Sequence, residues 1–244
     1  MYASNQGHVE TVLEMVPYAK PEDLERSICW AAKRGHLPLV TMLLEKGGVS
    51  PNTVSAVIWG HMGGPSEGGE TLLMLATAAL DPKMVKILLV RGADVHKTTS
   101  RDLDFETSFM RRRGKRHENK PESLTALHSL ASRNLTPDNE NAAQEILNML
   151  LSAGANIEAK DGSGNTPLLL TIGSSRISAS DPMINLKLFL AAGADPCAMD
   201  TDGESLLHRA CKSLTTTEVA ELLLSYKANP IQARASDGAT PVHS

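Results

Sequence analysis

The sequence predicts an all-α solenoid of stacked helix-turn-helix units joined by short finger loops. Three observations carry this. A Thr-Pro-Leu-His-like string recurs, clearest at Thr166-Pro167-Leu168-Leu169 and Thr240-Pro241-Val242-His243. Weaker copies stand at Thr125-Ala126-Leu127-His128, Ser205-Leu206-Leu207-His208, Thr71-Leu72-Leu73-Met74 and Ser27-Ile28-Cys29-Trp30. Behind most copies lies an apolar stretch with three- and four-residue spacing: Val85, Leu88, Leu89; Ile146, Leu147, Leu150, Leu151; Leu186, Phe189, Leu190; Val219, Leu222, Leu223. Gly-Ala-Asx turns then close the unit at Gly92-Ala93-Asp94, Gly154-Ala155-Asn156 and Gly193-Ala194-Asp195, with eroded versions at Gly47-Gly48 and Lys227-Ala228-Asn229.

Each recurring residue has a mechanical job. The hydroxyl of Thr166 or Thr240 accepts from orphan N–H groups at a helix start. Pro167 and Pro241 fill the first helical position, where a missing N–H costs nothing. Leu127 and Leu168 then face inward, and glycine supplies the positive φ that ends the second helix. With cap, proline and glycine in this fixed order, the chain resembles the ankyrin repeat family over nearly its whole length. Ala31 to Val40, reading AAKRGHLPLV, is the best single match to that family.

Organisation follows unit by unit. Residues 1–20 form a partial N-terminal repeat that enters in mid-unit, 21–52 a repeat, 53–68 a glycine-rich linker and 69–96 a repeat. Residues 97–122 are expected to be a basic, disordered insertion that folding does not need. Repeats follow at 123–159, 164–200 and 203–235, and 238–244 is a truncated repeat. Cap positions 27, 71, 125, 166, 205 and 240 are all spaced more widely than the roughly 33 residues of the motif. The surplus falls in surface loops at 61–69, 97–122, 134–141 and 173–181, each polar or rich in Gly, Ser, Asn and Pro. The truncated last repeat is expected to leave Leu206 and Leu222 partly uncovered.

Composition narrows the function classes. Aromatic residues make up 3% of the chain, which suits a stack packed from Leu, Ala, Val and Met. No apolar run approaches the roughly 18 residues of a membrane span, and no secretory signal opens the chain. Cys29, Cys197 and Cys211 are odd in number and far apart, which points to a reducing cytoplasm or nucleus. The net charge of −4 hides a basic segment: residues 97–122 hold eight Lys or Arg against five Asp or Glu.

Candidate chemistry is sparse. His208 and Cys211 share a helix, but His208 holds the repeat's histidine position, Cys211 is expected to pack behind it, and zinc needs a fuller ligand cluster. The cluster Gly60 to Gly69 lacks the Lys-Ser/Thr of a phosphate loop, and no nucleophile elbow occurs. No catalytic residue, cofactor or metal is therefore expected. The run Arg111, Arg112, Arg113, Lys115, Arg116 reads as a solvated loop, with nuclear import or an acidic protein partner as its functional alternative. It lacks interleaved aromatics, so nucleic acid is not the expected partner.

The resemblance implies protein–protein recognition on the concave face, where finger tips and first helices present variable side chains. Lys160, Asp161, Asp200, Thr201 and Asp202 stand on finger turns and are the candidate contacts, although Asp-Gly pairs also simply make turns. The partner is an unspecified protein, no membrane is involved, and the chain is a monomer unless exposed terminal repeats self-associate. The alternative organisation is the repeat region of a larger enzyme or signalling receptor.

Overall fold

The computed structural model describes residues 9–55, 69–99, 123–172, 182–212, 217–234 and 237–243. Helix α1 spans Val9–Met15 and leads into a 3-10 turn at Val16–Tyr18. Five helix pairs follow: α2 Pro21–Lys33 with α3 Leu37–Glu45, α4 Leu72–Ala78 with α5 Pro82–Val90, α6 Ala126–Ala131 with α7 Glu140–Ser152, α8 Pro167–Leu170 with α9 Met183–Ala191, and α10 Leu206–Lys212 with α11 Thr217–Ser225. A 3-10 turn at Pro241–His243 follows. Among the described residues there is no strand, only two isolated bridges, Val54 to Thr71 and Met199 to Ser205, at the base of fingers.

The pairs stack into two layers. First helices α2, α4, α6 and α8 touch in sequence, and second helices α1, α3, α5 and α7 do the same on the outer side. One continuous apolar core runs from Val12 to Ala228. The inner helices are short and deeply enclosed: Leu72 through Thr77 are all buried. The outer helices bury one stripe, Val85 and Leu88 in α5 and Ile146, Leu147 and Leu150 in α7. The all-α ankyrin-like solenoid expected from the sequence is the observed fold.

Caps form where the repeated string places them. Thr166 Oγ1 accepts from Leu169 N at 3.4 Å, and Thr71 Oγ1 from Met74 N at 3.2 Å. Asp81 does the same for α5, accepting from Met84 N at 3.1 Å. Outer helices end in a shared motif: Ala93 N donates to Leu88 O at 2.9 Å, Ala155 N to Leu150 O at 2.9 Å and Ala194 N to Phe189 O at 3.1 Å. In each, the preceding glycine (Gly92, Gly154 or Gly193) has φ between 84° and 92°. In the last pair Lys227 takes the glycine's place at φ 66°, while Ala228 N still reaches Leu223 O at 3.0 Å.

Four expectations are corrected. Ser27 is not a cap: it lies buried inside α2, which starts six residues earlier because Pro21 takes the first helical position and Glu22 and Asp23 favour the positive helix start. The loop expected over 134–141 is shorter, because α7 begins at Glu140 and Leu135 is buried beneath the turn. Cys211 is exposed rather than packed, since α10 turns Leu206, Leu207 and Ala210 inward and the next residue round faces out. Leu206 is only 1% exposed, because the Pro241–His243 turn packs on α10 and covers it. Leu222 is half-buried as expected, and the exposed apolar residues of this end are Leu224, Tyr226, Ile231 and Val242.

Truncating Leu150, which is fully buried, to alanine is expected to cost about 2–5 kcal/mol in denaturant unfolding, whereas Thr166→Ala costs about 1 kcal/mol. Lys227→Gly is expected to stabilise by roughly 0.5–1 kcal/mol, since a left-handed backbone suits glycine and strains a side chain. A loss of stability in that variant would mean that the lysine side chain does more than occupy the turn.

Candidate functional site

The last three fingers are built on aspartates with the same task. Asp161 Oδ1 accepts from Ser163 N and Asn165 N, both at 2.8 Å, and Asn165 Nδ2 reaches Asp161 Oδ2 at 3.0 Å. Asp200 Oδ1 accepts from Asp202 N and Glu204 N, both at 2.9 Å. Asp237 Oδ1 accepts from Ala239 N at 3.1 Å. Each carboxylate spends its lone pairs on backbone N–H groups, which sets the path of the turn. Burial alone would raise the Asp200 carboxyl, but the Glu204 N–H, the Arg209 guanidinium and the Asp202 N–H together hold it below the ordinary carboxylate range.

Neighbouring fingers are tied to one another. Thr201 donates to Ser163 O through its N–H at 3.2 Å and its hydroxyl at 2.9 Å, and Lys160 Nζ donates to Met199 O at 3.2 Å. The approach requires glycine at 164, where a Cβ would meet Thr201 N at 2.7 Å. Further back, in three fingers one residue reaches the turn that ends the next unit. Asn52 Oδ1 accepts from Asp94 N at 2.7 Å, Glu158 Oε1 from Asp195 N at 2.8 Å, and Cys197 Sγ contacts Lys227 O at 3.6 Å.

An ion ladder runs beside these turns. Arg209, on α10, donates to Leu169 O at 2.8 Å, to Asn165 Oδ1 at 2.6 Å and to Asp200 Oδ2 at 2.7 Å. Glu204 lies 3.6 Å from Arg209 Nε, contacts Lys212, and lies 3.5 Å from Arg234, which binds Asp237 at 2.9 Å. The ladder links the last three units on the finger side. Sequence reading does not single out Arg209, whose acceptors Leu169, Asn165 and Asp200 lie in the preceding unit, nor Glu204 and Arg234, which join it in the ladder. Asn185 is equally silent in sequence; buried on α9, it donates to Ala131 O at 3.1 Å and Arg133 O at 2.6 Å.

Five candidate contacts, Lys160, Asp161, Asp200, Thr201 and Asp202, are thus brought together along two adjacent fingers. Lys160, Thr201 and Asp202 are exposed, while Asp161 and Asp200 are half-buried supports. Arg111, Arg112, Arg113, Lys115 and Arg116 lie outside the described residues. Among the described residues no group of three or more His, Cys, Asp or Glu is placed to hold a metal ion, and no helix is long and apolar enough to cross a membrane. Burial, aided by Glu25 and Glu70, pushes the Cys29 thiol up to about 12, which keeps it protonated and unreactive.

Residues 1–99 match the family profile described as ankyrin repeats (3 copies), and residues 123–162 match that of the single ankyrin repeat. The chain belongs to the ankyrin repeat family. It is 33% identical over 106 residues to the neurogenic locus Notch protein of Drosophila melanogaster, covering 43% of this chain and 4% of that protein. It is 27% identical over 188 residues to ankyrin repeat and SOCS box protein 6 of Homo sapiens, covering 70% of this chain and 38% of that one. The ankyrin chain therefore spans well under half the length of either relative.

Arg209 and Asp200 have side chains only 15% and 9% exposed, so Arg209→Met should cost roughly 3 kcal/mol by stranding Asp200. Amide exchange in 161–165 and 200–204 is expected to quicken in that variant. Unchanged stability would show that water replaces the guanidinium.

Proposed function

We propose that the finger side of this stack recognises a protein partner and catalyses no reaction. Ankyrin repeats generally mediate protein–protein interaction, and proteins of the family are typically non-catalytic. The observation that carries the reading for this chain is the bracing of the fingers. Thr201 and Lys160 each bond across to the neighbouring finger, and the Asp202 N–H is fixed to Asp200, so the exposed tips stand on a rigid base. Little ordering entropy then opposes binding. Asp202, Thr201 and Lys160 are the contact residues, and Asp161 and Asp200 hold them in place. The basic run 111–116 is a second proposed contact, for an acidic partner, on sequence alone. A cytoplasmic or nuclear setting fits the three cysteines, none of which is in a disulfide.

A second reading places these repeats as the recognition arm of a longer protein. It is favoured by the human relative, whose name couples ankyrin repeats to a SOCS box and of which the matched region is 38%.

The test is capture of partners from cell extract by the immobilised chain, with identification by mass, followed by titration of the captured protein. Asp202→Lys and Thr201→Arg should each weaken binding by about tenfold or more, Asp202→Lys with an unchanged melting midpoint because only its side chain changes at the exposed tip. Full binding by both, with loss on changing exposed outer-helix residues such as Lys86 and Glu145, would move the site to the opposite side.

A further inference from the structure

The seam between the third and fourth helix pairs of the stack carries a titratable group at its centre. His128, on α6, is fully buried. Its Nε2 lies 3.0 Å from the carbonyl oxygen of Asn165 in the next unit. A carbonyl only accepts, so Nε2 carries the proton and Nδ1 of the neutral ring is an acceptor. Nδ1 receives the Thr125 N–H at 3.1 Å and faces the Thr125 hydroxyl at 2.9 Å. One imidazole thus completes the cap of its own helix and fastens the following finger.

A second proton on Nδ1 reverses that arrangement. The hydroxyl can turn to accept, but the buried Thr125 N–H is left facing another donor. The disturbance has a defined route outward. Asn165 holds Asp161 through its N–H and Nδ2, and its Oδ1 receives Arg209.

Neighbouring seams lack this sensitivity at the same position. In the second helix pair the residue is Met74, whose Sδ accepts from Thr71 N at 3.4 Å, and in the fourth it is Leu169. The charged groups around His128 are few. The elements on α6 are α4 and α8, which carry no titratable side chain, α7, whose Glu140 and Glu145 are exposed, and α9, which reaches it through Asn185 and whose Lys187 is exposed. Asp161 faces the ring from the finger, with Lys160 beside it and Arg209 beyond Asn165.

We propose that mild acid opens the stack at this seam, loosening the finger of Asp161 and Asn165 while the seam between α4 and α6 stays closed. Burial is the main cause holding the His128 imidazole below its ordinary value; the carbonyl of Asn165, the Asp161 carboxylate and the Ala159 carbonyl oppose it without cancelling it. The unfolded chain therefore takes up this proton first as pH falls. The contribution of the staple is full above about pH 6.5 and declines as pH drops towards the folded value, by at most roughly tenfold in the folding equilibrium per pH unit.

The test is amide exchange on the full chain at about pH 7.5 and about pH 5.5, expressed as protection factors so that intrinsic rates cancel. Protection at Thr125, Asn165 and Leu169 should fall roughly tenfold at the lower pH, with Leu75 and Ala79 unchanged. His128→Met keeps an acceptor of the kind Met74 provides and should abolish the selective loss. Equal loss along the stack, or persistence of the loss in His128→Met, would overturn the proposal. Should that variant not fold, nitrogen NMR of the native ring decides: a neutral Nε2–H tautomer titrating below 6.5 is expected, and a ring titrating at or above its ordinary value refutes it.

Discussion

Everything in this stack depends on closing the amino-terminal ends of short helices that water cannot reach. An inner helix such as α4 has Leu72 through Thr77 all buried, so its first N–H groups must find acceptors inside the protein. The cap residues Thr71, Thr125, Thr166 and Ser205 are themselves buried. Around that constraint the chain varies the supporting residue. Histidine does two jobs at 128 and 208, where Nε2 reaches Asn165 O and Ala239 O in the following segment. Methionine at 74 answers only the cap, and leucine at 169 leaves the hydroxyl of Thr166 to act by itself.

Coupling along the stack is consequently uneven. Apolar contact between neighbouring helices runs throughout, as in any solenoid. Polar coupling joins the early units through Asn52, Lys97 and the Arg91–Glu45 pair, and in the later units Asn165, Asp200, Glu204, Arg209, Arg234 and Asp237 form one connected set. Such a set is directional in a way that leucine packing is not. It fixes the register of adjacent fingers to within hydrogen-bond tolerance, which is what a surface used for recognition requires.

Features that act within one unit were legible in the sequence. The cap at Thr166, the proline behind it, the apolar stripe of α7 and the turn at Gly154 all involve residues close in the chain, and spacing alone reveals them. Reading failed where a longer-range fact decided the outcome. Ser27 resembles a cap until Pro21 starts the helix earlier. Leu206 looks uncovered until the three residues Pro241–His243 are seen to lie across α10. Within the candidate site, the aspartate turns at 161 and 200 are foreseeable from Asp-Gly pairs. Arg209 is not, because its acceptors Asn165 and Leu169 sit about forty residues away, at separations of 44 and 40, and no periodicity predicts them.

Two fingers are pinched shut at their base. Ser55 N donates to Glu70 O at 2.8 Å and Gly69 N to Ser55 O at 2.9 Å, while Thr99 N donates to Leu124 O at 2.9 Å. Below each pinch the flanking helices pack into the common core, α3 against α5 and α4 against α6. Closing a longer segment adds only about 0.6 kcal/mol per doubling of its length. The pinches at 55/69 and 99/124 therefore mark the two places where a change in segment length is expected to cost the scaffold least. A reporter or an epitope spliced in at these places is accordingly expected to leave the core packing intact.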